Sequence, residues 1–132
     1  MPTDTFKRLP DQKKNLIIYT AVREFAEHPY DVASISNIVR KTGIAKGSFY
    51  QYFEDKQDLY LTLIEIAIHE KQNLMSAYPI PDPNGNFFSY LRWQFNVNVL
   101  FELQNPLFAQ VSYRAFIEEV PFPEKTEEIR RR

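Results

Sequence analysis

The chain has 132 residues, a formal net charge of −1 and no cysteine. Disulfides and thiolate metal sites are therefore excluded from these residues, and the overall charge gives no general attraction to nucleic acid. Residues 1–8 lack the apolar core of a signal peptide, and no window offers the long uncharged run that a membrane helix needs. We therefore expect a cytoplasmic protein without a membrane span, and the 44% hydrophobic content is enough for a packed core.

The first predicted helix begins near Pro10 and Asp11, because a proline and an acid suit a first helical turn. Ile18, Val22 and Phe25 follow at i, i+4 and i+7 and form one apolar stripe. We expect this helix to pack across the two helices that follow it.

A second, shorter helix is predicted to begin after Ser34, a favourable N-cap residue. Ile35, Ile38 and Val39 give it a single apolar stripe. Gly43 is expected to end the helix in a positive-φ conformation, which glycine adopts without steric cost.

The third helix is predicted to begin near Ala45 and has two unlike faces. Phe49 and Phe53 point the same way, towards a core. The opposite face carries small or polar residues flanked by two tyrosines: Gly47, Ser48, Gln51, Tyr50 and Tyr52. Lys46 stands at the helix entrance. A pair of short helices joined by a glycine turn is typical of a helix-turn-helix, which places its second helix in the DNA major groove.

The charges of this segment also favour DNA. Residues 34–53 contain Arg40, Lys41 and Lys46 and no acid, so their local charge is +3 in a chain of net charge −1. Ser48 and Gln51 can form hydrogen bonds with base edges, and lysines and tyrosine hydroxyls can reach phosphate oxygens. A solvated surface lysine is the ordinary alternative for each cation, and Ser34 is explained in part by its cap.

Residues 43–56, GIAKGSFYQYFEDK, resemble the DNA-binding signature of tetracycline-repressor-type (TetR family) transcription regulators. The preceding helix and the apolar helix after Asp55 match as well, so the resemblance covers roughly residues 10–75. It implies an all-α protein with an N-terminal three-helix DNA-binding domain in residues 1–54. A helical ligand-binding and dimerisation domain would occupy residues 55–132, beginning with a long connecting helix at about 55–77.

The resemblance also implies roles for individual residues. Nine positions match family positions that contact bases, sugars or phosphates: Ser34, Ser36, Lys46, Gly47, Ser48, Tyr50, Gln51, Tyr52 and Lys56. Two residues depart from the family pattern. Ala45 replaces a frequent serine or threonine cap, and Pro29 replaces a common glycine, so the turn after the first helix must be built without positive φ.

In the long connecting helix, Asp55 is the expected N-cap and Asp58 lies in the first turn. Its predicted buried side consists of Tyr60, Leu63, Ile64, Ala67 and Leu74. A proline-rich segment at 79–85 then predicts a break in the chain. We expect this break to mark the boundary of a second helical block.

The second block is predicted to contain a helix from about Asn86 to Gln104, with Phe88, Leu91, Phe95 and Val99 along one face. Asn105 and Pro106 favour a restart, and the next helix is expected to run to about Glu119 and end at residues 120–123. Residues 124–132 are compatible with a further helix.

Aromatic residues are abundant in this block. They have two interpretations, ordinary core and interface or a pocket for a small apolar or aromatic effector. Trp93, Tyr113 and Arg92 are the candidate pocket residues, without a choice among them. His28 and His69 lie far apart and are assigned to core or surface, so we expect no metal and no cofactor.

We interpret the chain as a sequence-specific DNA-binding transcription regulator, a repressor released by its effector. The resemblance implies a homodimer on a palindromic double-stranded DNA operator. TetR-type chains usually continue further, so either this chain is truncated, its ordered portion ends here, or it dimerises in an unusual way. As a fragment, we expect it to bind an operator poorly, because two DNA-binding domains are no longer tethered. The alternatives are an enzyme, against which we find no nucleophile–base arrangement, and a helical protein-interaction module that has lost DNA binding.

Overall fold

The computed structural model describes residues 1–80, 84–117 and 122–131. These residues form eight α-helices and no strand. In chain order the helices are α1 (Asp4–Lys7), α2 (Asp11–Glu27), α3 (Ile35–Thr42), α4 (Lys46–Tyr52), α5 (Lys56–Ala77), α6 (Phe87–Gln104), α7 (Pro106–Ile117) and α8 (Pro123–Arg131). The expected all-α class is confirmed. The predicted break at 79–85, the predicted helix end at Glu119 to Pro123 and the last residue, Arg132, lie wholly or partly outside the described residues.

Side-chain caps fix where three predicted helices begin. The Ser34 hydroxyl accepts a hydrogen bond from the backbone N–H of Asn37 at 3.1 Å, and the Asp55 carboxylate accepts one from Asp58 at 2.7 Å. Asn86 caps α6 in the same way. Each cap satisfies a backbone donor that has no partner inside its helix, so the predicted starts are confirmed.

Two turns frame the short helix α3. Gly43 ends it at φ 76°, the left-handed conformation that the sequence predicts. Before it, the carbonyl of Pro29 accepts hydrogen bonds from the backbone of Val32 and Ala33 at 3.0 and 2.9 Å. This turn uses no positive φ, as the proline requires.

Helix α1 was not predicted from the sequence. Thr3 caps it, and its backbone N–H donates to the carbonyl of Tyr52 at 3.0 Å. Phe6 is buried, with its ring centroid 4.9 Å from that of Phe53. The N-terminal segment therefore packs against the end of α4.

The buried core is continuous from the N-terminal helices into the second half of the chain. Phe25 and Tyr60 belong to the same cluster as Val111, which lies on α7. The Arg114 guanidinium of α7 donates to the carbonyl of Ala26, at the end of α2, at 3.1 Å. Thus α2 packs on α7 as well as on α3, and the division at residues 54 and 55 stays a prediction.

Helices α5 and α6 differ in whether the apolar side predicted from the sequence is buried. In α5 the predicted side is buried from Tyr60 to Ala67, and Leu74 is half-buried. In α6 the buried residues are Val97 and Phe101. The predicted stripe of α6 is on the opposite side and faces outwards: Phe88, Leu91, Phe95 and Val99. No helix of the described residues has the length and apolar character needed to cross a bilayer.

Candidate nucleic-acid interface

The two faces of α4 are separated as the sequence predicts. Phe49 and Phe53 are fully buried, with ring centroids 5.5 Å apart. Gly47 and Gln51 are exposed, and Ser48 is half-buried. A Cβ atom added to Gly47 would meet no atom within 4 Å. We call the surface formed by Gly47, Ser48 and Gln51 the outer face.

Residues of α3 adjoin the outer face. The Lys46 ammonium lies 3.4 Å from the Ser36 hydroxyl, and both residues are exposed. Tyr50 is also exposed, and its ring meets the ring of Phe49 edge to face at 5.3 Å. This contact anchors the tyrosine on the core while leaving it at the surface beside Lys46 and Gln51.

The expectation that Tyr52 flanks the outer face is wrong. Tyr52 is only 5% exposed, and its ring centroid is 6.0 Å from that of Phe6. Tyr52 follows Phe49 by three residues and therefore shares its buried side of the helix. Helix α1, which was not predicted, covers it.

Lys56 is held inside the fold rather than extended into solvent. Its ammonium donates to the carbonyls of Tyr30 and Ala33 at 2.7 and 3.2 Å and lies 4.4 Å from the centre of the Tyr30 ring. Two of its three donors are thus used to fasten the turn before α3 to the start of α5. The implied phosphate contact remains a prediction that the remaining donor alone could fulfil. Burial raises the pKa of Tyr30, and the nearby Asp55 and Asp31 add to the increase.

Ser34 likewise has a structural role, as the cap of α3, and it is half-buried. Its hydroxyl proton stays free to be donated, because the cap uses the oxygen only as an acceptor.

A polar chain of contacts from α2 to α3 was missed by the sequence analysis. Glu24 is 1% exposed, and its Oε1 accepts a hydrogen bond from the Asn37 side chain at 3.2 Å. The side-chain amide oxygen of Asn37, Oδ1, in turn accepts a hydrogen bond from the Arg40 guanidinium at 3.2 Å. Arg40 follows Ser36 by four residues, so the two side chains share one side of α3. The position of Glu24 in line with Ile17 and Ala21 was the signal that it is buried.

The described residues hold no group of three or more histidine or acidic side chains arranged to bind a metal ion. His28, at the end of α2, has its Nε2 3.6 Å from the same buried Glu24 carboxylate. This acid lies four residues away and was overlooked as a histidine neighbour in the sequence analysis.

The three predicted effector residues are not brought together. Trp93 lines a groove of about 600 Å³ and donates its indole N–H to the carbonyl of Tyr78. Tyr113 and Arg92 are exposed residues outside that groove. Arg92 and Tyr113 take outward-facing positions on α6 and α7, so the three residues do not share this groove. The assignment of an effector site to any one of them stays a prediction.

A three-helix unit with a glycine turn, a buried aromatic face and an exposed polar face defines the class of helix-turn-helix DNA-binding domains. Comparison with known proteins shows which family this unit is similar to. The family model described as bacterial regulatory proteins, tetR family, matches residues 17–63. Residues 17–63 of this chain are therefore similar to the DNA-binding region of tetR-family regulators.

Solved structures agree over nearly the whole chain. A TetR family transcriptional regulator from Chloroflexus aurantiacus J-10-fl superposes with a TM-score of 0.88 at 44% identity, over 98% of this chain and 60% of that one. The fatty acid degradation regulator FadR from Bacillus halodurans gives a TM-score of 0.68 over 92% of this chain and 61% of its own. At 23% identity, that second likeness shows the fold alone.

The sequence matches among curated proteins are shorter. The uncharacterized HTH-type transcriptional regulator YerO of Bacillus subtilis is 37% identical over 65 residues, which are 49% of this chain and 22% of that protein. The chain thus spans less than two thirds of each of these relatives. Their names are those of regulators, so enzyme function, the first alternative, is set aside.

Proposed function

We propose that this chain is the DNA-binding part of a transcription regulator and that the outer face of α4 enters the major groove of double-stranded DNA. The observation that supports the proposal best is the contrast within one short helix. Phe49 and Phe53 fill the core, whereas on the other side Gly47 has open space around it and Gln51 is exposed. Open space at a polar helix face flanked by cations is what a base-contacting helix requires.

The outer face supplies the base contacts in this proposal. Gly47 lets the backbone approach the duplex, and Gln51 and Ser48 form hydrogen bonds with base edges. Around them, Lys46 and Tyr50 contact phosphates and fix the orientation of the helix.

Helix α3 extends the phosphate contacts. Arg40 follows Ser36 by four residues on the same side of α3 and donates to the Asn37 side chain, and the Ser36 hydroxyl adjoins Lys46. The side chain of a helical residue leans towards the helix N-terminus, which brings the guanidinium closer to the Ser36 end. We therefore add Arg40 to the phosphate-contacting residues, with Ser36 beside it.

Regulation in this proposal is repression that an effector releases. Two copies of the DNA-binding domain would occupy successive major grooves of a palindromic operator, about 34–36 Å apart. An effector would favour a conformation in which this spacing is lost. The packing of α2 on α7, with Arg114 bonded to Ala26, supports a mechanical connection between the two parts of the chain. Such a regulator would act in the cytoplasm, as a homodimer.

The proposal is tested by fluorescence anisotropy titration of DNA fragments at several salt concentrations. We expect Lys46→Ala, Tyr50→Ala and Arg40→Ala to weaken binding to all fragments, and each lost phosphate contact of a cation to lower the salt slope by about 1. Arg92→Ala removes an exposed cation from α6 and serves as the control, with no change. Wild-type affinity in all three variants would refute these assignments.

A protein-interaction module is the second candidate, and the exposed stripe of α6 favours it. Phe88 and Phe95 are 73% and 67% exposed, and contiguous exposed apolar surface often marks interaction sites. The dependence of binding on salt concentration distinguishes the two candidate functions. DNA binding must weaken steeply as salt rises, whereas apolar association does not.

A further inference from the structure

A cavity of about 320 Å³ lies between α5, α6, α7 and α8, separate from the Trp93 groove and from the outer face of α4. Its walls are mostly apolar. Ile64 and Ala67 of α5 and Ala115 of α7 are buried residues that line it. A volume of this size is at the lower end of the range for small-molecule sites.

Two cations from different helices also line this cavity. The Lys71 ammonium of α5 lies 5.9 Å from the centre of the Phe101 ring, and the Arg130 guanidinium of α8 lies 5.2 Å from that of Phe116. Both rings belong to the same cavity wall. The cations are therefore held against the cavity by aromatic faces, which attract positive charge.

The charges of these cations are poorly balanced by protein acids. Arg130 has Glu127 at 3.7 Å, but that carboxylate is 53% exposed, so the pair is largely screened by water. Lys71 forms no ion pair with a carboxylate of the described residues. A cation at the edge of an apolar cavity is costly to desolvate unless an anion accompanies it.

We propose that this cavity binds a small carboxylate with an apolar body. The carboxylate contacts Lys71 in the positive field that Arg130 strengthens, and the Ser112 hydroxyl in the same wall is available as a further donor. The apolar body packs on Ile64, Ala67 and Ala115. A neutral molecule of the same shape leaves Lys71 without a counter-charge, and a cationic one is repelled.

The proposal deepens the proposed function, on which its regulatory part rests. Ile64, Ala67 and Lys71 lie on α5, whose first turn is fastened through Lys56 to the turn before α3. Displacement of α5 by a ligand would therefore be transmitted to the DNA-binding helices. Binding itself does not depend on this connection.

Isothermal titration calorimetry of the 132-residue chain tests the binding. The probes are octanoate, 1-octanol and octylammonium, together with the aromatic pair 2-naphthoate and 2-naphthol. We expect at least one acid to bind about tenfold more tightly than its neutral counterpart, the effect of one charge-assisted hydrogen bond. Octylammonium is expected not to bind. Equal affinities for the acids and the alcohols, or no binding by either acid, would overturn the proposal.

Variants assign the effect to Lys71. Lys71→Met keeps an unbranched apolar side chain and should reduce affinity for the acid about tenfold while leaving affinity for the alcohol unchanged. A changed affinity for the alcohol would mean that Lys71→Met has disturbed the cavity. In that case Arg130→Gln is the test variant, and it should lower the affinity for the acid by a smaller factor without changing the affinity for the alcohol. Lys125→Met, an exposed lysine of α8 outside the cavity, is the matched control. Wild-type acid affinity in both cavity variants would contradict the proposed site.

DNA titrations with and without the bound acid separate this inference from the proposed function. Acid binding that requires Lys71 but leaves DNA affinity unchanged would support the site and refute its role in regulation. Failure of the free chain to bind any DNA would refute the proposed function and leave the cavity measurement valid.

Discussion

The aromatic residues of the DNA-binding helices and those of α6 differ in how deeply they are buried. Phe25, Phe49 and Phe53 are buried almost completely, whereas Phe88 and Phe95 of α6 are mostly exposed. Both sets have helical spacing in the sequence. The comparison shows that periodicity identifies which residues share a face, while burial depends on whether another element is present to cover it.

The covering elements differ between the two regions. Helix α2 crosses α3, and α1 packs against the end of α4, so every large side chain of that core has a neighbour. Helix α6 contacts α5 and α7 through the side that holds Val97 and Phe101. Its outward stripe has no comparable cover within the described residues.

The largest expected difference between the regions is in stability. Phe49→Ala should lower the free energy of unfolding by about 3–5 kcal/mol, because a buried ring is replaced by a cavity. Phe88→Ala should change it by less than about 0.5 kcal/mol, as for other exposed residues. Urea denaturation of the two variants measures both values. Similar losses would mean that the stripe of α6 is buried in solution.

The two glycines of the helix-turn-helix give a finer comparison. Gly43→Ala forces a methyl group into a left-handed conformation and should cost about 1–2 kcal/mol. Gly47→Ala has open space around the new methyl group and should be neutral or stabilising by up to about 1 kcal/mol, since alanine favours helix. It should nevertheless weaken DNA binding by obstructing the outer face. A Gly47→Ala variant with wild-type DNA affinity would contradict that role.

The smallest expected effect depends on pH. The pKa of Tyr30 is raised, mainly by burial and then by Asp55 and Asp31. Its stabilising contribution is therefore complete below the ordinary tyrosine pKa of 10.0 and is lost as the pH rises through the folded-state pKa. Thermal denaturation from neutral to alkaline pH should show a smaller loss of Tm in Tyr30→Phe than in the wild type. Tyr113→Phe, at an exposed site of α7, is the control. An identical alkaline loss in Tyr30→Phe would contradict this account.

Local rules in the sequence predict much of the DNA-binding part. Ser34, Asp55 and Gly43 mark helix ends because their effects act within four residues. The division of α4 into two faces follows from helical geometry alone. These features need no knowledge of the rest of the fold.

Predictions that depend on tertiary contacts were less successful. Tyr52 was placed at the surface because α1, which covers it, has too short a pattern to recognise. The structural contacts of Lys56 were not predicted, because its ammonium reaches carbonyls that lie 26 and 23 residues earlier in the chain. The exposure of the α6 stripe depends in the same way on which helices adjoin it.

Selection of bound duplexes from a random-sequence pool tests the central claim most directly, when it is carried out with the wild-type chain and with Gln51→Ala. Contact of Gln51 with a base predicts one enriched sequence for the wild type and, for the variant, a changed preference confined to the base pair that Gln51 contacts. The same enriched sequence for both proteins, or no enrichment for either, would contradict the claim that the outer face of α4 contacts DNA bases.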